Sequence, residues 1–475
     1  MGSIKRCSWL NWRLPRLFAV IALIGFEEPV FAADAPRSDF ERQVDSAVST
    51  VLARTGAPSC SIALVRNGAI VYARAYGLAQ LEPQRRATPE MRYAIGSISK
   101  EFTAAALLML QERGALSIDK PAGDYLPDLG PAGAVSIRQL LSHTAGVRDY
   151  WPQDYDLPGM LDPVSSKEIL ARWGRQPLDF TPGSAWQYSN TGFTIAGLIA
   201  ERVAHQSLFS FWQLHIFQPL RLESAFNFDA GPLPSGDAAG YTHYALGPSR
   251  PAAKTGRGWL FAAGPLAMSA SDLARWDIAL MDHRLLTDAS YRDLTTEVRL
   301  TTGVGTGYAL GLGVALESGR RVWKHAGEVT GFTAQNRMYP DLSMALVVLV
   351  NEDMTTASTA IADEIAKILL AQSSPADVAA DAEATRLFRD LQNGHIDESR
   401  LTPNARSYFT VQALADFHSS LSPLGDPQQF VPTRLVRRGG LVIRYYDITF
   451  ADRKLAVIVQ YTPDGHIEQF TVSAK

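Results

Sequence analysis

Apolar residues recur along the first part of the chain at two different spacings. Between residues 37 and 54 they fall at helical spacing, which predicts an amphipathic helix. Two runs rich in strand-forming residues follow at 59–65 and 70–76, on either side of Asn67 and Gly68. Because Asn-Gly between two such runs is a strong signal for a two-residue turn, we expect a β-hairpin here.

The middle of the chain shows mainly helical patterns. Residues 102–110 are apolar nearly all round, which indicates a buried helix that ends near Gly114. A capping box that begins at Ser136 predicts a second helix, and we expect Ser271 to cap a third. The segment 208–262 contains several Pro and Gly residues and is predicted to be irregular.

The region that follows alternates between apolar and polar residues in the manner of strands. We predict antiparallel strands at 308–316, 321–325, 332–338 and 343–350, and then a helix at 357–370. Together these patterns predict an α+β fold. Its antiparallel sheet is flanked by helices, is completed by both ends of the domain, and carries an inserted helical lobe.

A change of composition at a Ser- and Pro-containing segment divides the chain. The 475 residues are too many for one ordinary core, so we expect two domains. We place a linker at 373–379 and a small α+β domain with an antiparallel meander at 380–475. Its predicted elements are a helical stretch at 380–420 and strands at 429–436, 441–450, 454–462 and 466–473. It carries no obvious chemistry and is a candidate for contacts with other proteins.

The first 32 residues have the features of a secretory signal peptide. A basic segment precedes ten apolar residues at 17–26, too few to span a bilayer, and residues 30–32 supply a small-x-small cleavage signal. We expect cleavage after residue 32, a main domain at 33–372, no stable membrane span and a periplasmic or secreted location. A retained amphipathic anchor is the alternative. Cys60 would then be the one cysteine of the mature chain, so no intrachain disulfide could form.

Composition and motif content exclude several classes of function. Hydrophobic residues make up 46% of the chain and the net charge is −3, with no run of Lys and Arg beyond the first 16 residues. A nucleic-acid partner is therefore not expected. The sequence has no His-Glu-x-x-His spacing, phosphate loop or dinucleotide fingerprint, so we expect no metal and no cofactor. The expected partner is a small molecule or a short peptide.

A serine and a lysine stand together where the buried helix begins. Ser97 and Lys100 are three residues apart, and residues at this spacing share one face of a helix. A lysine that lies against an apolar helix is partly desolvated, which favours its neutral form. Such a lysine can take the proton of a neighbouring hydroxyl, so Ser97 is a candidate nucleophile and its N–H a candidate oxyanion donor.

Two further elements could complete such a site. Tyr188 and Asn190 precede a helix. As a phenolate or a phenol whose pKa is lowered by Lys100, Tyr188 could pass on the Ser97 proton. Asn190 could bind a substrate carbonyl or cap the helix. His325 lies two residues before Gly327 on a predicted strand, where a glycine permits close approach of a ligand. The N–H of Glu328 is then a candidate for the second oxyanion donor.

Other residues that match parts of these motifs are given structural interpretations. Ser117 and Lys120 repeat the serine–lysine spacing but do not open an apolar helix, so we expect an ordinary surface. The segment 254–256 reads Lys-Thr-Gly in a loop without strand patterns and is interpreted as unrelated to the site. His143 is expected to bind backbone at a helix end, and Cys60 to be a small buried apolar residue.

Three motifs, in this order, resemble the active-site motifs of the serine β-lactamase-related superfamily. They read Ser97-Ile98-Ser99-Lys100, Tyr188-Ser189-Asn190 and His325-Ala326-Gly327. The superfamily includes class C β-lactamases, D,D-peptidases and family VIII carboxylesterases, and the resemblance covers about residues 37–372. It implies a serine hydrolase domain of β-lactamase/transpeptidase type, with the cleft between the sheet and the helical lobe.

The resemblance also implies roles for the matching residues. Ser97 would be the nucleophile, Lys100 and Tyr188 would handle the proton, and the N–H groups of Ser97 and Glu328 would form the oxyanion hole. Substrate contacts would come from Asn190, His325 and Gly327.

One departure from the family pattern bears on the substrate. Class C β-lactamases have a lysine where this chain has His325, and a histidine is mostly neutral at pH 7. Recognition of a free carboxylate is thereby weakened, which favours an ester, an amide or a D-amino-acid peptide. The alternative to an exported hydrolase is a module that binds penicillin or cell-wall peptides with little turnover.

Overall fold

The computed structural model describes residues 38–153, 156, 158–371 and 375–475. The N-terminal signal segment predicted at 1–32 therefore lies outside the described residues. The elements up to the centre of the chain are α1 (Asp39–Thr55), β1 (Ser59–Arg66), β2 (Ala69–Gln80), β3 (Arg85–Arg86), β4 (Tyr93–Ala94), α2 (Ser99–Glu112), α3 (Ile137–Leu141), α4 (Ser166–Ile169), α5 (Asn190–Ala204), α6 (Leu208–Trp212), α7 (Gln218–Leu220), β5 (Phe226–Asn227), β6 (Tyr241–Thr242), β7 (Arg250–Pro251), β8 (Leu266–Met268), α8 (Ala270–Met281) and α9 (Asp288–Thr295).

The remaining elements complete the first domain and form the second. They are β9 (Gly313–Glu317), β10 (Arg320–Val329), β11 (Phe332–Tyr339), β12 (Met344–Val350), α10 (Ala357–Ala371), α11 (Pro375–Gln392), α12 (Pro403–Tyr408), α13 (Val411–Leu421), β13 (Gln429–Arg438), β14 (Leu441–Thr449), β15 (Lys454–Tyr461) and β16 (Ile467–Ala474). Short 3-10 segments include Gly96–Ile98, and π-helical turns extend α4 and α6 at Leu170–Gly174 and Gln213–Phe217.

A seven-stranded sheet joins the two ends of the first domain. Its strand order is β3-β2-β1-β12-β11-β10-β9, and the neighbouring strands are antiparallel. Strand β1 near the start of the domain pairs with β12 near its end, for example Ile62 with Val348. The predicted antiparallel sheet, completed from both ends, is confirmed.

The first hairpin forms where the sequence predicts it. Strands β1 and β2 are joined by Asn67 at φ 50° and Gly68 at φ 71°. Two consecutive positive φ angles are what a tight hairpin turn of right-handed strands requires, and Asn-Gly accepts them at the least cost.

Helices cover both faces of the sheet. Helices α1 and α10 pack on one face through a core that includes Val44, Val48 and Ile361. Helix α8 packs on the other face, where a larger core extends into the helical lobe around α2 and α5. Strand β12 is buried along its whole length because both of its faces are covered.

The second domain is a helical segment followed by a separate four-stranded antiparallel sheet. The sheet has the order β13-β14-β15-β16, and a core that includes Phe388, Tyr446 and Val457 joins it to α11. Helix α11 begins at Pro375, so residues 375–379 of the predicted linker are helical. The placement of the domain boundary itself stays a prediction.

Three local expectations were wrong. Ser269 rather than Ser271 caps α8, because its hydroxyl accepts the Asp272 N–H at 3.2 Å. The segment 308–312 lies before β9 and is not part of the strand predicted there. Residues 208–220, predicted to be irregular, are helical, because an apolar side around Phe211 and Trp212 packs on the lobe.

Within the described ranges, no helix combines the length and the apolar character that crossing a bilayer requires.

Candidate active site

Ser97 lies on a tight turn that leads into the buried helix. The turn is the 3-10 segment Gly96–Ile98, and α2 begins at Ser99, so Ser97 precedes the helix rather than opening it. Gly96 has φ 51°, and a Cβ built on it would lie 2.7 Å from the backbone nitrogen of Glu328. Only a glycine can therefore hold the serine this close to β10.

Lys100 lies beneath Ser97 and is fully buried. Its Nζ is 2.9 Å from Ser97 Oγ, 2.8 Å from Asn190 Oδ1 and 2.8 Å from the Ala263 carbonyl oxygen. Burial lowers the pKa of Lys100 to about 7, and the negative charge of Asp149 opposes this shift. At neutral pH a large fraction of Lys100 is therefore an uncharged amine.

Tyr188 contacts the same serine oxygen from another side. Its hydroxyl donates to Ser97 Oγ at 2.8 Å. Burial raises the pKa of Tyr188 above its ordinary value; the hydrogen bond with Ser97 acts against this shift and the charge of Asp149 adds to it. The expectation that Lys100 lowers this pKa was wrong, so Tyr188 is a phenol and not a phenolate at neutral pH.

The hydrogen bonds around Ser97 can all be satisfied in one protonation state. A neutral lysine has two N–H donors, which can serve Asn190 Oδ1 and the Ala263 carbonyl, and one lone pair, which can accept the Ser97 proton. The Tyr188 hydroxyl then donates to the serine oxygen. This arrangement prepares Ser97 for loss of its proton to Lys100.

Asn190 connects Lys100 to an acidic residue that sequence reasoning missed. The Asn190 amide accepts from Lys100 through Oδ1 and donates from Nδ2 to Asp149 Oδ2 at 3.2 Å. The Asn190 backbone N–H also donates to Asp149 Oδ1 at 2.9 Å. Ser189, not Asn190, caps α5 by accepting the Gly192 N–H. No short motif in the sequence points to Asp149, because its partner is 41 positions away.

Strand β10 approaches Ser97 through a residue without a side chain. A Cβ on Gly327 would lie 1.9 Å from the Ile95 carbonyl oxygen and 3.4 Å from the Ser97 nitrogen. Strand β9 pairs with β10 only up to Lys324, so the edge of β10 from His325 onward faces the cleft without a strand partner from β9. The backbone nitrogens of Ser97 and Glu328 thus border one small space.

His325 does not present a polar atom to this space. Its Nδ1 is 2.5 Å from the Ala326 carbonyl oxygen, which can only accept, so Nδ1 carries the hydrogen and Nε2 accepts from the Tyr308 hydroxyl at 2.8 Å. Burial and, to a smaller extent, the charge of Lys100 lower the pKa of His325 to about 3. The histidine is neutral, and sequence reasoning missed its partner Tyr308.

His143 is a structural residue that contacts the segment carrying Tyr188 and Ser189. Its Nδ1 accepts the Ser189 N–H at 3.1 Å, and its ring packs on Tyr188 with 4.2 Å between ring centres. Burial lowers the pKa of His143 well below its ordinary value. The expectation that His143 binds backbone at a helix end is confirmed.

None of the residues of the competing motifs is among the described residues that line the cleft around Ser97. Ser117 and Lys120 are at the lobe surface, where the Ser117 hydroxyl accepts the Asp119 N–H. In the Lys-Thr-Gly segment, Lys254 packs over the Phe228 ring at 5.0 Å and Thr255 donates to Asp156 at 2.8 Å. Cys60 is buried in β1, as expected.

The cleft around Ser97 has a volume of about 1060 Å³ and two different ends. One end is aromatic and apolar, and its lining includes Tyr150, Trp151, Pro152, Trp173 and Leu260. The other end carries hydroxyl and amide groups and is lined by Thr330, Thr333, Gln335, Thr355, Ser358 and Thr359.

Acidic residues outnumber basic ones in the described lining of the cleft. The acidic residues are Asp149, Asp179, Glu328 and Asp353, and the basic residue is Arg148. Arg148 is already paired with Asp179 at 2.7 Å, and His325 contributes no charge. The field in the cleft therefore favours cations over anions.

The sheet-and-lobe fold and the shared contacts of Ser97 are those of a serine hydrolase. A model of the Beta-lactamase family matches residues 44–370, so this chain belongs to the Beta-lactamase family.

Comparison with individual proteins agrees with this membership. The chain is 27% identical to the D-aminopeptidase of Gluconobacter oxydans (strain 621H) over 335 residues, 70% of this chain and 62% of the relative. It thus spans less than two thirds of the length of that relative.

Two solved structures are similar in fold. The D-stereospecific amidohydrolase from Streptomyces sp. has a TM-score of 0.60 and 27% identity, and the match covers 68% of this chain and 97% of that one. The octameric penicillin-binding protein homologue from Pyrococcus abyssi has a TM-score of 0.61 and 20% identity, and covers 92% of this chain and 99% of its own. At 20% identity, the match to the Pyrococcus abyssi protein shows a similar fold and nothing more.

Proposed function

We propose that this chain is an exported serine hydrolase that acts through an acyl-serine intermediate at Ser97. The observation that carries the proposal is the pair of contacts at Ser97 Oγ, 2.9 Å from Lys100 Nζ and 2.8 Å from the Tyr188 hydroxyl. A nucleophile in contact with a base whose pKa is about 7 meets the requirements for general-base activation at neutral pH.

In the acylation step, Ser97 Oγ attacks the substrate carbonyl carbon while its proton moves to Lys100 Nζ. The carbonyl oxygen becomes an oxyanion, which accepts from the N–H groups of Ser97 and Glu328. When the tetrahedral intermediate collapses, the bond to the leaving group breaks. The leaving group takes the Tyr188 hydroxyl proton, and Lys100 passes the proton that it took from Ser97 to Tyr188, so Lys100 and Tyr188 return to their starting states.

Deacylation runs through the same groups in reverse order. Water attacks the acyl-serine ester and gives a proton to Lys100, while the Tyr188 hydroxyl gives its proton to Ser97 Oγ as the ester bond breaks. Lys100 then passes its proton to Tyr188, which restores both groups. The products are a carboxylic acid and free Ser97. The cycle uses the side chains of Ser97, Lys100 and Tyr188 and no other reactant than substrate and water.

The charge of the cleft supports a particular class of substrate. A neutral His325 supplies no fixed cation for a substrate carboxylate, and the acidic lining disfavours anions. We therefore favour esters, amides and peptides with D-amino acids that carry a free amine near the scissile bond. The names of two similar proteins, the D-aminopeptidase of Gluconobacter oxydans and the D-stereospecific amidohydrolase of Streptomyces sp., support a peptide or amide substrate of D configuration.

Export is part of the proposal on the evidence of the sequence. The basic segment, the short apolar core and the small-x-small signal at 30–32 support secretion through a cleaved signal peptide. We propose a periplasmic or secreted enzyme, with the second domain available for contacts with other proteins. Fractionation of cells that express the full chain, followed by N-terminal sequencing, tests cleavage after Ala32.

Hydrolysis of a p-nitrophenyl ester by matched serine variants tests the role of Ser97. Ser97→Ala should abolish turnover, and Ser117→Ala, which removes the serine of the second serine–lysine pair, should leave it unchanged. A fluorophosphonate probe should label the wild type and Ser117→Ala but not Ser97→Ala. Ester hydrolysis by Ser97→Ala within tenfold of wild type would refute the proposal. Lasting label by a fluorescent penicillin without turnover would support a binding module instead.

A further inference from the structure

We propose that Asp149 is a positioning residue of the hydrolase, which holds the Asn190 amide with its oxygen toward Lys100 and supplies the negative charge next to that lysine. The inference rests on the proposed function. Asp149 lines the cleft, but its carboxylate is hydrogen-bonded to Asn190 and to nearby backbone N–H groups, so its effect on the reaction passes through Asn190 and Lys100.

The geometry fixes which way the Asn190 amide points. Asp149 Oδ2 accepts from Asn190 Nδ2 at 3.2 Å, while Asp149 Oδ1 accepts from the Asn190 backbone N–H at 2.9 Å. A carboxylate cannot accept from the amide oxygen, so the nitrogen must face Asp149 and the oxygen must face Lys100 Nζ, 2.8 Å away. With the amide reversed, Nδ2 would meet a lysine that itself needs an acceptor.

The orientation matters because it leaves the lysine lone pair for Ser97. Two lysine N–H donors are used by Asn190 Oδ1 and the Ala263 carbonyl oxygen, which directs the third position of Nζ toward Ser97 Oγ. Loss of the acceptor on Asn190 would let a lysine N–H turn to the serine oxygen. The lysine would then donate to the nucleophile instead of accepting from it.

The second effect of Asp149 is electrostatic. The titratable side chains that interact with Lys100 are Tyr188, His143, His325 and Asp149. Burial keeps Tyr188 a phenol and both histidines uncharged. Asp149 is therefore the group whose charge opposes the effect of burial, and it raises the pKa of Lys100 toward neutrality.

Asp149 also contributes to local structure, and the test must separate the two roles. Its carboxylate accepts N–H groups at the start of α5, which stabilises the helix whether or not the protein is an enzyme. A helix cap affects the melting temperature. It does not by itself move the pH at which the catalytic base becomes neutral.

The pH dependence of kcat/KM in Asp149→Asn tests the proposal, with a neutral ester as substrate. Loss of the charge lowers the pKa of Lys100. The acid limb of the profile, where kcat/KM rises as Lys100 loses its proton, should therefore move to lower pH by roughly half a unit or more. Because the Asn190 amide is no longer held, kcat on the plateau should fall about tenfold. Asp149→Glu keeps the charge, so its acid limb should stay near the wild-type position while its kcat falls. This variant also tests the proposal if Asp149→Asn does not fold.

Two controls complete the experiment. Asp179→Asn removes another acid of the cleft, which pairs with Arg148, and should leave the acid limb in place. In an Asn190→Ala background, Asp149→Asn should cost much less kcat than in the wild type, because the effect passes through Asn190.

The inference would be overturned if the acid limb of the kcat/KM profile did not move in Asp149→Asn. It would also be overturned if the acid limb moved in Asp149→Glu, which keeps the charge, as far as expected for loss of that charge. Full additivity with Asn190→Ala would overturn it as well. The proposed function would survive these results and would fail instead if Ser97→Ala stayed active.

Discussion

Gly96 and Glu328 lie so close together that a Cβ on Gly96 would be 2.7 Å from the Glu328 backbone nitrogen. One residue precedes the serine and the other follows the glycine of β10, so this contact sets the distance between the turn and the strand edge. The small space between them is where the proposed oxyanion would form.

Replacement of Gly96 by Ala should open this space. The added methyl group must push the turn away from β10, and the residue must also hold φ 51°. We expect kcat to fall about a hundredfold, the size of the loss of one oxyanion donor. Gly68→Ala is the matched control, since Gly68 also has positive φ but a Cβ added there would meet no atom within 4 Å. It should lower the melting temperature and spare kcat; equal kcat values for both variants would contradict the assignment.

The activity should rise with pH through the ionisation of Lys100. The base must be neutral to accept the Ser97 proton, and the pKa of Lys100 is about 7, so kcat/KM for a neutral ester should be low at pH 5 and reach a plateau above pH 8. Lys100→Met should lower the plateau on the order of a thousandfold and remove this limb. Lys120→Met, in the second serine–lysine pair, should retain the wild-type profile.

Tyr188→Phe should discriminate between substrates by their leaving groups. The phenol donates a proton to the departing atom in our mechanism, and an amide nitrogen needs that proton far more than a p-nitrophenolate does. We expect a loss of about a hundredfold or more for a D-amino-acid amide and a clearly smaller loss for the ester. The packing of the ring on His143 is kept. The same factor for both substrates would mean that Tyr188 does not protonate the leaving group.

Glu328→Gln should change the preference of the enzyme for substrate charge. The residue is exposed and lines the acidic cleft next to the proposed oxyanion donor. Removal of one unit of negative charge should lower kcat/KM for a D-amino-acid amide with a free amine roughly fivefold relative to its N-acetyl form. Glu223→Gln, at an exposed position outside the cleft, should not change the ratio. A ratio unaffected by Glu328→Gln would remove the charge argument for the substrate class.

Features with a local cause were predictable from the sequence. Asn67 and Gly68 form their turn because of their own backbone preferences. Lys100 meets Ser97 because the two residues are three positions apart across the 3-10 turn that leads into α2. The antiparallel sheet followed from alternation of apolar residues. The choice of Ser97 over Ser117 followed from the apolar helix behind it.

The features that escaped prediction depend on contacts between distant residues. The role of Asp149 depends on its hydrogen bond with Asn190, which the fold brings beside it. The role of Tyr308 likewise depends on its hydrogen bond with His325. The pKa of Tyr188 moved opposite to our expectation, because burial raises it and outweighs the hydrogen bond with Ser97, which lowers it. Burial of that kind is a property of the packed lobe and not of any short motif.

The mass of the enzyme during turnover tests the central claim most directly. The wild type would be mixed with a D-amino-acid p-nitrophenyl ester, quenched in acid within milliseconds and digested for mass spectrometry. We predict that the peptide containing Ser97 gains the mass of the acyl group, and that Ser97→Ala shows no such gain. Turnover with an unmodified Ser97 peptide throughout, or with the acyl group on another residue, would contradict the account.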